Sequence, residues 1–205
     1  MIEGNPTELL AQAKAGDPAA LGRLLEGYRN YLALLARAQI GRRLQGKVDA
    51  GDLLQETFLH AFREFGQFRG ESERELLNWL RRILGGVAAN QVRRYFRTKR
   101  RDVRLERELI EDLDRSSRVL DRELVAPQSS PSQRAANREL SVLLADALSR
   151  LSEDYREVIV LRHLEGLSFP EAAARMGRTE DSVKNMWARA LAKLRRLLDN
   201  PTGFP

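Results

Sequence analysis

The stretch Ser168-Phe-Pro-Glu-Ala-Ala-Ala-Arg-Met-Gly-Arg-Thr-Glu-Asp-Ser-Val-Lys-Asn185 reads as two short helices joined by a tight turn. Ser168 and Glu171 stand at capping-box spacing. Pro170 falls in the first turn, where a missing N–H costs little. Ala172, Ala173 and Met176 form a small apolar face, and Gly177 suits the left-handed residue that ends a helix. Thr179 can cap the second helix, with Glu180 and Asp181 near its positive end. Val183, Trp187, Ala190 and Leu194 recur at helical spacing and should face a core. Asp181, Asn185, Ala188, Arg189 and Ala192 fall on the opposite side, with Lys184 beside them. This is the layout of a helix-turn-helix, whose second helix enters the DNA major groove. Short helix pairs also occur in all-helical proteins that never meet DNA. Trp187 shares the apolar stripe and reads as a core residue, and Arg189 taken alone reads equally as a solvated charge.

Outward from that stretch, the 205 residues suffice for one domain or two small ones. A composition 31% charged and 42% hydrophobic suits a soluble globular protein. Lys and Arg number 35 against 29 Asp and Glu, a modest excess of +6 that is unevenly placed. A polyanion partner is therefore compatible with the charge without being demanded by it. With no cysteine, disulfides, zinc–cysteine sites and thiol catalysis are excluded. Two histidines make a histidine-rich metal site a poor reading. No cofactor is expected. No signal peptide and no apolar run of membrane-spanning length is seen, so no membrane partner is expected and the cytoplasm is the expected location.

Apolar residues recur at three and four throughout, and Ala, Leu, Arg and Glu dominate, so the predicted fold class is all-α. A first helix is expected near residues 7–15. Gly16 ends it, Asp17 caps the next and Pro18 starts it. That second helix should continue through Leu21, Leu24, Leu25, Tyr28, Leu32 and Leu35. Residues 41–49 read as a break. A third helix begins near Asp52, with Leu54, Phe58, Leu59, Phe62 and Phe65 as its apolar stripe. A polar loop over residues 66–73, containing Phe68, leads to a fourth helix from about Leu76 past Arg94. Leu76, Leu80, Ile83, Leu84 and Val87 form its core face. Gly85 and Gly86 inside it cost about 1 kcal/mol each relative to alanine, which predicts a close-packing reason.

The character changes over residues 102–134, where charges of both signs alternate and Pro127-Gln-Ser-Ser-Pro131 breaks any helix. This reads as a linker, helical in its first half. A second helical block follows. Leu140, Leu144, Ala147, Leu148 and Leu151 form its first stripe. Ser152 caps a helix with Tyr155, Val158, Ile159 and Arg162, closed by Gly166. The expected division is thus a helical domain over residues 5–101, a charged linker over 102–133 and a helix-turn-helix domain over 134–199.

Two further clusters carry chemistry. Arg93, Arg94, Arg97, Lys99, Arg100, Arg101 and Arg104 stand against one nearby acid, Asp102, with Tyr95 and Phe96 among them. Basic residues interleaved with aromatics suit a nucleic-acid backbone with unstacked bases. Cations are also favourable at a helix C-terminus, but seven exceed what the dipole needs. Asp52, Gln55 and Glu56 form a polar edge beside Phe58. Asp52 is placed to cap its helix. No second acid pair or histidine stands at a spacing for metal or general acid–base work, so a protein-binding surface is the better functional reading and no catalytic residue is assigned.

Two helical modules, a charged linker, a basic helix end and a C-terminal helix-turn-helix resemble a bacterial RNA polymerase sigma factor of the sigma-70 family. The short connection resembles the extracytoplasmic-function (ECF) type. The most specific pieces are Asp52-Leu-Leu-Gln-Glu-Thr-Phe58, Trp79-Leu-Arg-Arg-Ile83, and Leu167-Ser-Phe-Pro-Glu-Ala-Ala through Arg189-Ala-Leu-Ala-Lys-Leu-Arg195.

The resemblance implies a non-enzymatic factor that directs promoter-specific transcription initiation. Its partners would be core RNA polymerase, at the clamp and flap regions, and promoter DNA. Many relatives are also held by an anti-sigma factor, which nothing in the sequence identifies here. Asp52, Gln55 and Glu56 would bind the clamp coiled coil of the largest subunit. The loop over residues 66–73 with Phe68, and the helix with Trp79 and Asn90, would hold the melted minus-ten element. Arg93, Arg94, Arg97, Lys99, Arg100 and Arg101 would track its phosphates. Thr179, Asp181, Ser182, Lys184, Asn185 and Arg189 would read the minus-thirty-five element. The linker would thread near the RNA exit path. Three positions depart from the family pattern. The family commonly carries asparagine at Gly86, aspartate at Asn90 and a basic residue at Met186.

Two other classes compete. A conventional regulator would bind duplex DNA alone, usually as a dimer, and needs no polymerase-docking helix. A recombinase-like enzyme would need a nucleophile with supporting arginines or clustered metal carboxylates, and neither is found.

Overall fold

A computed structural model describes residues 5–43, 49–95, 103–123 and 133–199. Every extended element among them is a helix, and no strand occurs among them. The chain divides into two compact units, Met1–Arg115 and Ser116–Pro205.

The first unit opens with α1 (Pro6–Lys14), capped by Asn5, whose side chain accepts from the Thr7 N–H. Gly16 turns the chain at φ 98°, a conformation that costs glycine little. Asp17 then caps α2 (Pro18–Gly27), accepting from the N–H groups of Ala19 at 2.8 Å and Ala20 at 3.1 Å. The expected single helix through Leu35 is two. α2 ends at Tyr28, whose N–H turns back to the Leu25 carbonyl, and α3 (Arg29–Arg43) starts at the next residue. The buried stripe of Leu21, Leu24, Leu25, Tyr28, Leu32 and Leu35 survives the break. Tyr28 is itself fully enclosed, its hydroxyl donating to Glu73 at 2.8 Å.

Helix α4 (Ala50–Glu64) is capped by Asp49, which accepts from Gly51 N–H, so Asp52 is not the cap. The buried face of α4 is Leu53, Leu54, Thr57 and Ala61. Small residues set that face, which rotates Leu59 and Phe62 out to solvent at 50% and 44% exposure. They were expected in the core. Phe58 is half-buried beneath the Arg29 guanidinium, 5.2 Å from its ring centre.

A 3₁₀ turn (Phe65–Gln67) leads to α5 (Glu73–Tyr95), which packs on α1, α3 and α4. Leu76, Leu80, Leu84 and Val87 are buried as expected, and Ile83 is half-buried. Helix α6 (Val103–Glu123) occupies the first half of the stretch read as a linker. Its Leu109 joins Leu53, Val87, Ala88 and Ala89 in one apolar cluster, and Leu113 is fully buried. The reason for Gly85 is here. A Cβ at that position would lie 2.6 Å from Ile110 Cγ1, so only a glycine lets α6 approach this closely. Beside it, Arg81 reaches Asp114 at 2.7 Å and the Tyr31 hydroxyl at 2.9 Å, tying α6, α5 and α3 together.

In the second unit, α7 (Gln133–Ser149) buries Leu144, Ala147 and Leu148, with Leu151 just beyond it. Helix α8 (Glu153–Ile159) begins after Ser152 and passes into one π turn (Val160–Leu164), closed by Gly166 at φ 72°. Arg156 fastens the α7–α8 corner by donating to the carbonyls of Leu148, Ser149 and Leu151 at 2.8–3.0 Å. Helices α9 (Phe169–Met176) and α10 (Glu180–Asp199) complete the unit, with α10 packed on α7, α8 and α9.

Candidate nucleic-acid interface

The α9–α10 pair has the local geometry its sequence predicts. Both halves of the capping box are made. The Ser168 backbone N–H donates to Glu171 at 2.7 Å, and the Glu171 N–H reaches the Ser168 hydroxyl. Hydrogen bonds from the Ser168 hydroxyl and backbone N–H hold the Glu171 carboxyl below its usual range. Gly177 takes the left-handed conformation at φ 62°, and the Thr179 hydroxyl accepts from the Ser182 N–H at 3.3 Å.

Helix α10 is sharply two-sided. Val183, Ala190 and Leu194 are buried, whereas Asp181, Lys184, Asn185, Ala188, Arg189 and Ala192 are exposed. Thr179 is exposed and Ser182 half-buried. Trp187 is only partly enclosed. Its Nε1–H donates to His163 Nε2 at 3.1 Å, and its ring meets Phe169 edge-on at 5.6 Å. Phe169 is covered by the Arg162 guanidinium at 4.1 Å. This bracket orients α10 on the rest of its unit. Lys184 pairs with Glu180 at 2.7 Å and Arg178 with Asp154 at 2.7 Å. Asn185 and Arg189 project from the exposed face, one helical turn apart.

In the first unit the loop before α5 is built around aromatics. Phe68 is buried, its ring 5.7 Å from Phe65 and 5.2 Å from Trp79. It therefore sits inside the loop rather than on its surface. A Cβ at Gly70 would overlap Phe68 and Glu75, and Lys14 Nζ donates to the Gly70 carbonyl at 3.1 Å. Glu75 closes the loop by accepting from the Glu71 and Ser72 N–H groups and the Ser72 hydroxyl at 2.8–3.1 Å. These bonds, that from Glu71 foremost, lower the Glu75 carboxyl from its usual range.

Along α5, Arg82, Gly86, Asn90 and Arg93 fall on one side by helical spacing. Arg82 is exposed, and Gly86, Asn90 and Arg93 are half-buried. Arg93 Nη2 donates to Asn90 Oδ1, while Arg93 Nη1 is buried with no hydrogen-bond partner among the described residues. Arg94 is exposed at the helix end. Arg97, Lys99, Arg100 and Arg101 lie outside the described residues.

On α4, Asp52 and Gln55 are exposed, and Glu56 accepts from Gln91 Nε2 at 2.8 Å. Leu59 and Phe62 continue the exposed side by one and two turns. Sequence reasoning missed that continuation because it placed Leu59 and Phe62 with Leu54 and Phe58 in one apolar stripe, and left out Leu53, which is fully buried. It also missed Glu106 of α6, whose Oε1 lies 3.7 Å from where a Gly86 Cβ would be. Such a contact depends on how α6 packs, and no local spacing announces it. Among the described residues no group of three or more His, Asp or Glu could hold a metal, and no helix is long and apolar enough to cross a membrane.

Residues 28–101 match the family model of Sigma-70 region 2, and residues 141–194 match that of Sigma-70, region 4. The chain is 34% identical over 192 residues to the RNA polymerase sigma factor CnrH of Cupriavidus metallidurans, covering 93% of each. It is 35% identical over 191 residues to the ECF RNA polymerase sigma factor BldN of Streptomyces coelicolor, covering 93% of this chain and 65% of BldN. A solved structure of CnrH in complex with the cytosolic domain of CnrY aligns at 27% identity and TM-score 0.34, over 95% of this chain and 97% of that one.

Proposed function

This chain belongs to the sigma-70 family, as a sigma factor of the extracytoplasmic-function type, and from that premise we propose how its parts divide the work of promoter-specific transcription initiation. A sigma factor is not an enzyme. It binds core RNA polymerase and promoter DNA, so its mechanism is recognition alone. Helix α10 reads the minus-thirty-five element as duplex through Thr179, Asp181, Ser182, Lys184, Asn185 and Arg189. The observation that carries this reading is the division of α10, with Val183, Ala190 and Leu194 buried and Asn185 and Arg189 projecting from the other side. Asparagine pairs with adenine and arginine with guanine in the major groove.

The minus-ten element lies as single strand against the loop over residues 66–73 and α5. Phe68 and Trp79 act there by holding the loop in shape, while Asn90, Arg93 and Arg94 face the strand, followed by Arg97, Lys99, Arg100 and Arg101. Polymerase docks at Asp52, Gln55 and Glu56 through its clamp, and Leu59 and Phe62 extend that surface with the apolar anchors such interfaces use. The flap region engages the second unit, and an anti-sigma factor competes for these surfaces in the cytoplasm.

Run-off transcription with purified core polymerase on a promoter library tests the whole reading. Initiation at defined sites is expected. Failure at every site, with helical circular dichroism intact, would refute it. Charge reversal at Asp52 and Glu56 should weaken co-purification with core polymerase, and unchanged co-purification would remove the docking assignment.

A further inference from the structure

We infer that Glu106, carried by α6, reads a base of the melted promoter strand across Gly86 and is a specificity-determining residue. The inference rests on the reading that this side of α5 meets the minus-ten element. Residue 106 lies beyond the stretch that matches region 2, residues 28–101, so that match gives it no role.

The argument begins with Gly86. Its neighbour Gly85 is required by close packing, since a Cβ there would lie 2.6 Å from Ile110 Cγ1. Gly86 meets no such contact among the described residues. The nearest atom to a Cβ there is Glu106 Oε1, at the ordinary contact distance of 3.7 Å. Glycine in a helix interior is unfavourable relative to alanine, and here it leaves a bare patch of backbone beneath a carboxylate. α6 is fixed in place by buried Leu109 and Leu113 and by the Arg81–Asp114 pair, so that carboxylate is held by a rigid element.

The groups around the bare patch complement one another. Asn90 and Arg93 follow Gly86 at four and seven residues, on the same side of α5. Arg93 holds the Asn90 carbonyl oxygen, which orients the amide, and its Nη1 is buried without a partner among the described residues. Glu106 makes no hydrogen bond or ion pair among the described residues. Acceptor, amide and cation thus flank a floor with no side chain. A base lying flat on a glycine floor can come close to the backbone. A carboxylate accepts from an exocyclic amino group, and in a single strand that edge of the base is exposed. Cytosine, adenine and guanine each offer an amino group there, and thymine does not. The competing account is that Glu106 is a solvated acid in the first turn of α6, favoured by the helix dipole and repelling DNA without regard to sequence.

The test is run-off transcription by core polymerase with the full-length wild type, Glu106→Ala and Glu106→Gln, on promoters randomised across the minus-ten element. Wild type should disfavour thymine at one position by about fivefold or more. Glu106→Ala should erase that preference at that position alone. Glu106→Gln keeps an acceptor and should retain part of it. Melting curves of both variants establish that they fold. Base profiles of Glu106→Ala and wild type that coincide would overturn the inference, as would equal gains on all promoters in both variants, the mark of plain repulsion. A silent wild type would overturn the proposed function and this inference together, whereas an active wild type with an unchanged Glu106→Ala profile overturns only the inference.

Discussion

Helices α5 and α10 are the two proposed to meet DNA, and they are built in opposite ways. α10 packs through one narrow stripe, Val183, Ala190 and Leu194, and leaves its other side to solvent. α5 is enclosed on most sides by α1, α3, α4 and α6, and it carries two adjacent glycines where side chains would otherwise project. A helix that enters a duplex groove must project and carry its own readers. A surface that holds a splayed single strand needs a floor, walls and cations, and its walls can come from a neighbouring helix. On this proposal specificity in α10 sits in α10 itself, while specificity at α5 depends on how α6 packs.

The largest effect that would break this contrast is loss of α6. Leu113 is fully buried, so Leu113→Ala should cost about 2–5 kcal/mol in urea unfolding of the first unit. A cost near zero would mean that α6 does not belong to that core, and the wall beside Gly86 would go with it.

The next effect separates the two kinds of reading. Arg189→Ala or Asn185→Ala should cost about 1–3 kcal/mol on promoters that carry the matching base and little on the others. Arg94→Ala should weaken output on all promoters alike and flatten the salt dependence. Promoter-selective loss at Arg94, or uniform loss at Arg189, would reverse the assignment. Polymerase pull-down should be unchanged in all three variants.

The two glycines give a smaller and sharper test. Gly85→Ala forces a methyl into Ile110 and should destabilise by about 1–3 kcal/mol. Gly86→Ala meets only ordinary contact with Glu106 and should stabilise by up to about 1 kcal/mol through helix propensity. Equal effects at both positions would dissolve the distinction drawn between them.

How much of this was legible beforehand follows the range of the forces involved. The α9–α10 turn is local, and Ser168, Glu171, Gly177 and Thr179 announce it by spacing and chemistry. The Asp17 cap was readable for the same reason, whereas the glycine pair announced close packing at both positions and the structure has it at Gly85 and not at Gly86. The break at Tyr28 was not, because an uninterrupted apolar stripe hides a single non-helical residue. The outward turn of Leu59 and Phe62 was also hidden, since Thr57 and Ala61 take the buried positions of α4 and small residues give a weak hydrophobic signal. The placement of α6 rests on contacts more than twenty residues apart in sequence, Gly85 with Ile110 and Arg81 with Asp114. Charge alternation in that stretch reads equally well as a linker.

The smallest effect tests what the two units share. Each opens one helix with the same device, Ser72 with Glu75 before α5 and Ser168 with Glu171 before α9. Both carboxyls are lowered from the usual 4.5 by donated hydrogen bonds. A lowered folded pKa means that the stabilisation is complete above 4.5 and is lost as pH falls through the folded value. Acid should therefore loosen both helix starts below that pH, and Glu75→Gln and Glu171→Gln should each remove one part of that acid sensitivity. Glu75 accepts from three donors and Glu171 from two, so carboxyl titration by NMR should place Glu75 below Glu171. If the order were reversed, the loop before α5 would not be held as drawn, and the rigid floor proposed for the single strand would lose one of its supports. If the order holds, the capping chemistry is common to both units, and the contrast between them is confined to the faces that their helices turn toward DNA.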